Sequence, residues 1–120
     1  MKQKLMLLTL SVGLLTAAYL PPALQAASEP QRVEITARQF AFTPGEITIK
    51  KGQPVVLVIH SADVEHGLRI RELGVNVQIK PGKTLEVKFT PNKVGDFVGH
   101  CAVFCGAGHG SMEIKVHVVA

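Results

Sequence analysis

Several features that would point to other kinds of protein are scarce in this sequence. From residue 27 onward, no segment of helical length shows an apolar period of about 3.6 residues, so the sequence does not predict an α-helical fold. The same part of the chain contains neither a repeat nor a low-complexity segment. The lysines and arginines form no cluster, which argues against a partner nucleic acid. There is no tryptophan, and there are only two cysteines.

The N-terminal segment has the pattern of a secretory signal peptide. Lys2 and Lys4 precede an apolar run from Leu5 to Leu20, and two prolines and the small residues Ala26 and Ala27 follow. We expect residues 1–26 to be this signal and residues 27–120 to be the exported domain, located in the periplasm. Removal of two lysines would lower the Lys and Arg count from 13 to 11 against nine acidic residues, a net charge of +2.

The alternative is that this segment is retained as an N-terminal anchor. Leu5–Leu24 has about the 20 residues needed to cross a bilayer, although Thr9, Thr16 and the prolines weaken that interpretation. Contact with a membrane is expected only in that case.

The rest of the chain has the apolar pattern of β-strands. Val33, Ile35 and Ala37 alternate with polar residues, and Val55–Ile59 is apolar on both faces, which predicts a central strand. Turn signals such as Pro81-Gly82 separate the segments. The expected strands lie near residues 33–37, 47–49, 55–59, 67–70, 75–79, 85–89, 96–101 and 112–119. Seven or eight short strands predict an all-β fold, a Greek-key β-sandwich or barrel.

The segment between the last two strands contains residues that bind metals. It reads Cys101-Ala-Val-Phe-Cys105-Gly-Ala-Gly-His109-Gly-Ser-Met112. Thiolate, imidazole and thioether groups suit copper in its soft, reducible form, and the three glycines permit a tight loop. His66 lies in a loop that can reach the same end of the sandwich.

Five interpretations of these residues can be compared, and the plainest is that Met112 only fills the core. A structural disulfide between Cys101 and Cys105 leaves His109 and Met112 without a role. A zinc site with His66 and His109 has no use for Met112. A mononuclear blue-copper site needs one cysteine, two histidines and the methionine, so Cys101 is surplus. Two thiolates that bridge two copper ions, each with one imidazole, use every residue.

The pattern Cys-x3-Cys-x3-His-x2-Met, with an upstream Asp-x2-His, resembles the CuA domain of haem-copper oxidase subunit II and that of nitrous oxide reductase. The resemblance extends from about Phe40 to Val118. It implies a cupredoxin fold, two copper ions and one-electron transfer, with no catalysis by the domain itself. The implied partners are a cytochrome c-like donor and an oxidase or reductase acceptor.

The resemblance also implies six copper ligands: two bridging thiolates, two terminal imidazoles, a weak thioether and a weak backbone carbonyl. The two thiolates are Cys101 and Cys105, and the two imidazoles are His66 and His109. The thioether is that of Met112, and the carbonyl is that of Val103. At the position of Val103, oxidase subunit II commonly has a glutamate whose carboxylate helps to hold magnesium against subunit I. Residues 27–120 also lack the tryptophan and tyrosine through which many oxidases accept electrons. The competing function is a soluble periplasmic copper carrier or a mononuclear blue-copper protein.

Other polar residues near these segments are not expected to bind metal. His100 should point away from its neighbour Cys101 in a strand, and His117 should be solvated. His60 is expected to be a buried, hydrogen-bonded histidine at the end of the central strand. Asp63 is either a solvated loop residue or a residue that orients His66.

Overall fold

The structure is a computed structural model that describes Gly13 and residues 29–120. The predicted signal peptide or anchor, residues 1–26, lies outside the described residues except for Gly13, so it stays a prediction. Among the residues described, no helix has the length and apolar character needed to cross a bilayer.

Within residues 29–120 the chain forms nine β-strands and two single turns of 3-10 helix. The strands are β1 (Gln31–Arg38), β2 (Ala41–Thr43), β3 (Glu46–Lys50), β4 (Val55–Ser61), β5 (His66–Ile70), β6 (Val75–Ile79), β7 (Thr84–Phe89), β8 (Gly95–His100) and β9 (Glu113–Val119). The 3-10 turns are Arg71–Leu73 and His109–Ser111. All eight predicted strands are present. The additional strand is β2, which at three residues is too short for apolar alternation to reveal it.

The strands form two sheets whose inward side chains make one core. One sheet has the order β2-β1-β4-β7 and the other has the order β3-β9-β8-β5-β6. The β1–β4 and β3–β9 pairs are parallel, and the other pairs are antiparallel. Strand β4 lies between two neighbours, as its continuous apolar sequence predicts. The all-β Greek-key sandwich is therefore confirmed.

Alternation along the strands determines which side chains enter the core. In β3, Ile47 and Ile49 are buried while their neighbours are exposed, and in β9 Ile114, Val116 and Val118 are buried in the same way. Because successive side chains of a strand point to opposite faces, this pattern places one face of each sheet against the other sheet. The loops at one end of the sandwich lie outside the pattern of alternating core residues and can form a functional site.

His117 differs from its expected solvated state. Its ring is half-buried on the outer face of β9, with Nδ1 2.5 Å from Asp96 Oδ1 of β8 and Nε2 hydrogen-bonded to Glu46 Oε1 of β3. The hydrogen bond with Asp96, followed by that with Glu46, raises the pKa of His117 above its usual value. The protonated ring therefore connects three neighbouring strands, an arrangement that only the strand order β3-β9-β8 creates.

This arrangement predicts a pH-dependent contribution to stability. Because the pKa of His117 is raised on folding, its contribution is complete below the unfolded value of about 6.5 and is lost as pH rises through the folded pKa. We expect His117→Gln to lower the melting temperature of the reduced, metal-free protein at about pH 5.5, and to lower it much less at about pH 9. The exposed His100 of β8 supplies the control variant His100→Gln. An equal decrease for His117→Gln at both pH values would contradict the prediction.

Candidate metal centre

Two loops at one end of the sandwich carry the predicted ligands. The loop after β4 leads into His66, the first residue of β5, and the loop between β8 and β9 carries the others. Cys101 directly follows β8 and Met112 directly precedes β9, and the Cys101 N–H donates to the Met112 carbonyl over 3.1 Å. This hydrogen bond extends the β8–β9 pairing by one step. The sheet therefore sets the positions of the first and last ligand of the loop.

The structure brings both cysteines and both histidines together. The Sγ atoms of Cys101 and Cys105 are 3.6 Å apart. His66 Nδ1 is 3.8 Å from Cys101 Sγ, and His109 Nδ1 is 3.6 Å from Cys105 Sγ. The ligand atoms of His66, Cys101 and Cys105 all lie within 4.8 Å of one another. Each thiol therefore has one imidazole nitrogen beside it.

The two weak ligands of the prediction also lie at the thiols. Met112 is buried, and its Sδ is 3.7 Å from Cys105 Sγ. The backbone oxygen of Val103 is 3.2 Å from Cys101 Sγ, and the contact with the thiol is made by the main chain. All six predicted residues thus meet at one place, while their role as metal ligands stays a prediction.

The donor set fits a thiophilic, redox-active metal. A disulfide bond is about 2.05 Å long, so two sulfurs at 3.6 Å are separate thiols. Metal–thiolate bonds of about 2.3 Å, the length found for zinc, allow two sulfurs of one metal ion to be at most about 4.6 Å apart. The observed separation lies within that limit. Two sulfurs, two imidazoles and a thioether are the donors that copper prefers.

The centre is closed to solvent on most sides. Cys101 and Cys105 are each 5% exposed, and His66 is fully buried. His109 is half-buried, and the ring of Phe104, which is 77% exposed, lies against it with a centroid distance of 5.6 Å. The site therefore reaches the surface at His109 and Phe104.

Burial changes the protonation of the metal-free site. Burial, then the hydrogen bond with the Cys101 thiol and the charges of Cys101 and Asp63, raise the pKa of Cys105 to about 11. The Cys105 thiol is therefore protonated at neutral pH when no metal is bound. Since a metal binds the thiolate, metal binding must release this proton, and its affinity increases with pH.

Asp63 orients His66. Its Oδ1 is 2.6 Å from His66 Nε2, while its Oδ2 accepts the Gln39 N–H over 2.8 Å. Because a carboxylate only accepts, Nε2 carries a proton, and in the neutral ring this leaves the lone pair on Nδ1, the nitrogen beside Cys101. Partial burial acts to raise the pKa of Asp63, but hydrogen bonds from Gln39, His66 and Val64 outweigh it and hold the pKa below its usual value. Of the two interpretations of Asp63 from the sequence, the structure supports the orienting one.

Three polar residues of these segments lie outside the cluster. Glu65 forms an ion pair with Lys80 at 3.1 Å. His60 is half-buried, not buried as expected, and its Nδ1 is 3.0 Å from Thr84 Oγ1. His100 is exposed. Neither His60 nor His100 joins the predicted ligands, as expected.

Sequence reasoning missed two residues that contact the ligand loop from the β1–β2 turn. Gln39 Nε2 donates to the Cys105 carbonyl over 2.6 Å. The ring of Phe40 packs on Gly106 and Gly108. Both residues are far from the loop in sequence, 66 positions in the case of Gln39 and Cys105, and nothing in their local pattern indicates the contact.

A substitution of Asp63 tests its role at His66. Asp63→Asn keeps the size of the side chain but loses the carboxylate that selects the Nε2–H form of His66. We expect copper affinity to fall roughly 10- to 100-fold, as is usual for a residue that orients a metal-binding histidine. Competition with a Cu(I) chelator measures this change. The control is Glu65→Gln in the same loop, which should keep the wild-type affinity; equal affinity of the two variants would contradict the prediction.

The packing of Phe40 on the loop generates a second prediction. A Cβ on Gly108 would lie 2.5 Å from two atoms of the Phe40 ring, whereas a Cβ on Gly110 would meet nothing within 4 Å. Since φ of Gly108 is −92°, the cost of a side chain there is steric. We expect Gly108→Ala to lower the free energy of unfolding by about 1–3 kcal/mol, the usual cost of overpacking, as measured by denaturant titration of the reduced, metal-free protein.

The matched control is Gly110→Ala, which should change the stability little. In a Phe40→Ala background the cost of Gly108→Ala should be smaller, because Cγ and Cδ2, the two ring atoms at 2.5 Å, are absent. A Gly108→Ala variant as stable as Gly110→Ala would show that Phe40 does not occupy this space.

Comparison with known proteins is consistent with this geometry. Residues 6–113 match the profile of the cupredoxin-like domain. Cytochrome c oxidase subunit 2 of Thermus thermophilus is 31% identical over 88 residues, which cover 73% of this chain and 65% of that protein. Nitrous-oxide reductase of Cupriavidus necator is 35% identical over 92 residues, which cover 73% of this chain and 14% of that protein.

The fold is also found in a solved structure of 33% sequence identity. It is a cryo-EM structure of a heme-copper terminal oxidase dimer, and the match has a TM-score of 0.67 over 74% of this chain and 65% of the other. The chain spans less than two thirds of the length of the Thermus thermophilus and Cupriavidus necator relatives.

Proposed function

This chain belongs to the cupredoxin-like domain family, and on that premise we propose that it is an electron-transfer domain with a binuclear, CuA-type copper centre. One observation carries the proposal: two thiols lie 3.6 Å apart, and each has its own imidazole nitrogen within 3.8 Å. Homology to cytochrome c oxidase subunit 2 and to nitrous-oxide reductase supports copper-dependent electron transfer.

The second cysteine favours two copper ions over one. A blue-copper centre would be complete with Cys105, His66, His109 and Met112. Cys101 would then be a buried thiol beside both His66 Nδ1 and Cys105 Sγ, at 3.8 Å and 3.6 Å, without a function. In a binuclear centre Cys101, at the same position, would hold both copper ions together with Cys105.

The residues of the chain would divide the work of the site. Cys101 and Cys105 would hold both ions, and His66 and His109 would each hold one. Met112 and the Val103 carbonyl would be weak ligands. When bound, the copper pair supplies one-electron redox chemistry. Ligands set on a rigid β scaffold move little between redox states, which favours rapid transfer.

Redox partners would reach the site where it is least buried. His109 is the half-buried ligand, and Phe104 lies exposed against its ring. We propose an extracytoplasmic location, a cytochrome c-like donor and an oxidase- or reductase-type acceptor, by homology to the oxidase subunit and the reductase. The soluble copper carrier and the one-copper blue protein are the competing functions.

The number of copper ions is tested at Cys101. We expect the wild type, reduced before loading, to bind two copper ions per chain with one unpaired electron shared between them. Cys101→Ser removes a bridging thiolate but leaves a complete one-copper ligand set, so it should bind one. Copper analysis with electron paramagnetic resonance of both proteins measures this difference.

The control is Cys105→Ser, which should bind copper less well than Cys101→Ser because Cys105 contacts both His109 and Met112. Reduction before loading prevents a Cys101–Cys105 disulfide from imitating loss of the site. A wild type that takes up one copper with a four-line signal, and a Cys101→Ser variant that does the same, would replace the binuclear centre by a blue-copper one. Colourless Cu(I) alone would favour a carrier.

A further inference from the structure

The turn between β1 and β2 contacts both loops of the metal centre. The Gln39 backbone N–H donates to Asp63 Oδ2 over 2.8 Å, and Asp63 in turn holds His66. The Gln39 side chain donates from Nε2 to the carbonyl of Cys105 over 2.6 Å. Gln39 thus contacts no predicted ligand atom. It hydrogen-bonds to Asp63, which supports the ligand His66, and to the main chain of the ligand Cys105.

We infer that Gln39 is a positioning residue: it holds Cys105 at a set position relative to His66. This inference rests on the proposed copper function. The Cys105 carbonyl belongs to the peptide unit that leads into Gly106, whose φ of +135° is accessible to glycine and strained for other residues. A loop with such a residue has many alternative backbone conformations in the absence of a partner. The Gln39 amide selects one of them and so fixes where the Cys105 thiol lies.

The packing of the same turn supports this role. A Cβ on Gly106 would lie 2.9 Å from Gln39 Nε2 and 2.8 Å from Phe40. The turn therefore occupies the space beside the loop that a side chain on Gly106 would fill. The close approach of the turn and the loop is what allows the Gln39 amide to reach a main-chain carbonyl.

Gln39 is itself exposed, so no core packing is lost when its side chain changes. This separates a positioning role from a purely structural one. A substitution should change the properties of the metal centre while it leaves the core intact. Substitution of a residue that holds a ligand in place typically lowers metal affinity roughly 10- to 100-fold.

The experiment compares two glutamines of β1 and its turn that make the same kind of hydrogen bond. Gln39→Leu removes the hydrogen bond to the Cys105 carbonyl. The control, Gln31→Leu, removes a 2.9 Å hydrogen bond from Gln31 Nε2 to the Thr48 carbonyl, which is remote from the site. We expect copper to be released to a chelator on the order of tenfold faster from Gln39→Leu, with a changed absorption and paramagnetic spectrum. Gln31→Leu should keep the wild-type rate and spectrum.

A second measurement does not depend on copper. In the reduced, metal-free protein, amide hydrogen exchange of residues 105–112 should accelerate on the order of tenfold in Gln39→Leu, while the amides of β4 and β9 keep their protection. Gln39→Glu, which also lacks the donor but stays polar, should give the same pattern and replaces Gln39→Leu if that variant does not fold.

The outcomes separate this inference from the proposed function. A wild type that binds one copper would end the binuclear proposal but leave the comparison of release and exchange rates valid. Wild-type release, spectrum and loop exchange in both Gln39 variants would overturn the positioning role. So would equal changes in Gln39→Leu and Gln31→Leu, since that would indicate a general loss of stability.

Discussion

Two buried sulfur atoms 3.6 Å apart are the constraint around which this domain is arranged. As thiolates the two sulfurs would be buried away from water and would repel each other. For these reasons the pKa of Cys105 is raised to about 11. The pair is stable as neutral thiols, as a disulfide or with a cation between the sulfurs. The neighbouring imidazole nitrogens and the thioether favour the cation, because they complete a ligand set that a disulfide would leave unused.

Hydrogen bonds from several other parts of the molecule hold Cys101, Cys105 and their neighbours in place. The β8–β9 pairing sets the ends of the ligand loop, since the Cys101 N–H bonds to the Met112 carbonyl. Asp63 selects the ring form of His66 that leaves Nδ1 free. Gln39 contacts both Asp63 and the Cys105 carbonyl. A loop that contains three glycines would otherwise have large conformational freedom, so these contacts limit the rearrangement that accompanies a change of charge.

Membership of the cupredoxin-like family agrees with this arrangement. The chain covers 65% of the Thermus thermophilus oxidase subunit and 14% of the Cupriavidus necator reductase that it resembles. The family match over residues 6–113 contains the segment from Cys101 to Met112. Valine at position 103 keeps a main-chain carbonyl at the thiols but supplies no carboxylate beside it.

The sequence by itself determined the strand pattern, the sandwich and the residue types of the metal centre, because side-chain alternation and donor chemistry are properties of short segments. Only the tertiary structure decided which residues support those donors. Gln39 is 66 positions from Cys105, and the pair meets because β1 and the β8–β9 loop reach the same end of the sandwich. His117 has carboxylate partners on two other strands for the same reason, where alternation alone predicted a solvated ring. Contacts of this kind depend on strand order and register, which no local pattern of residues specifies.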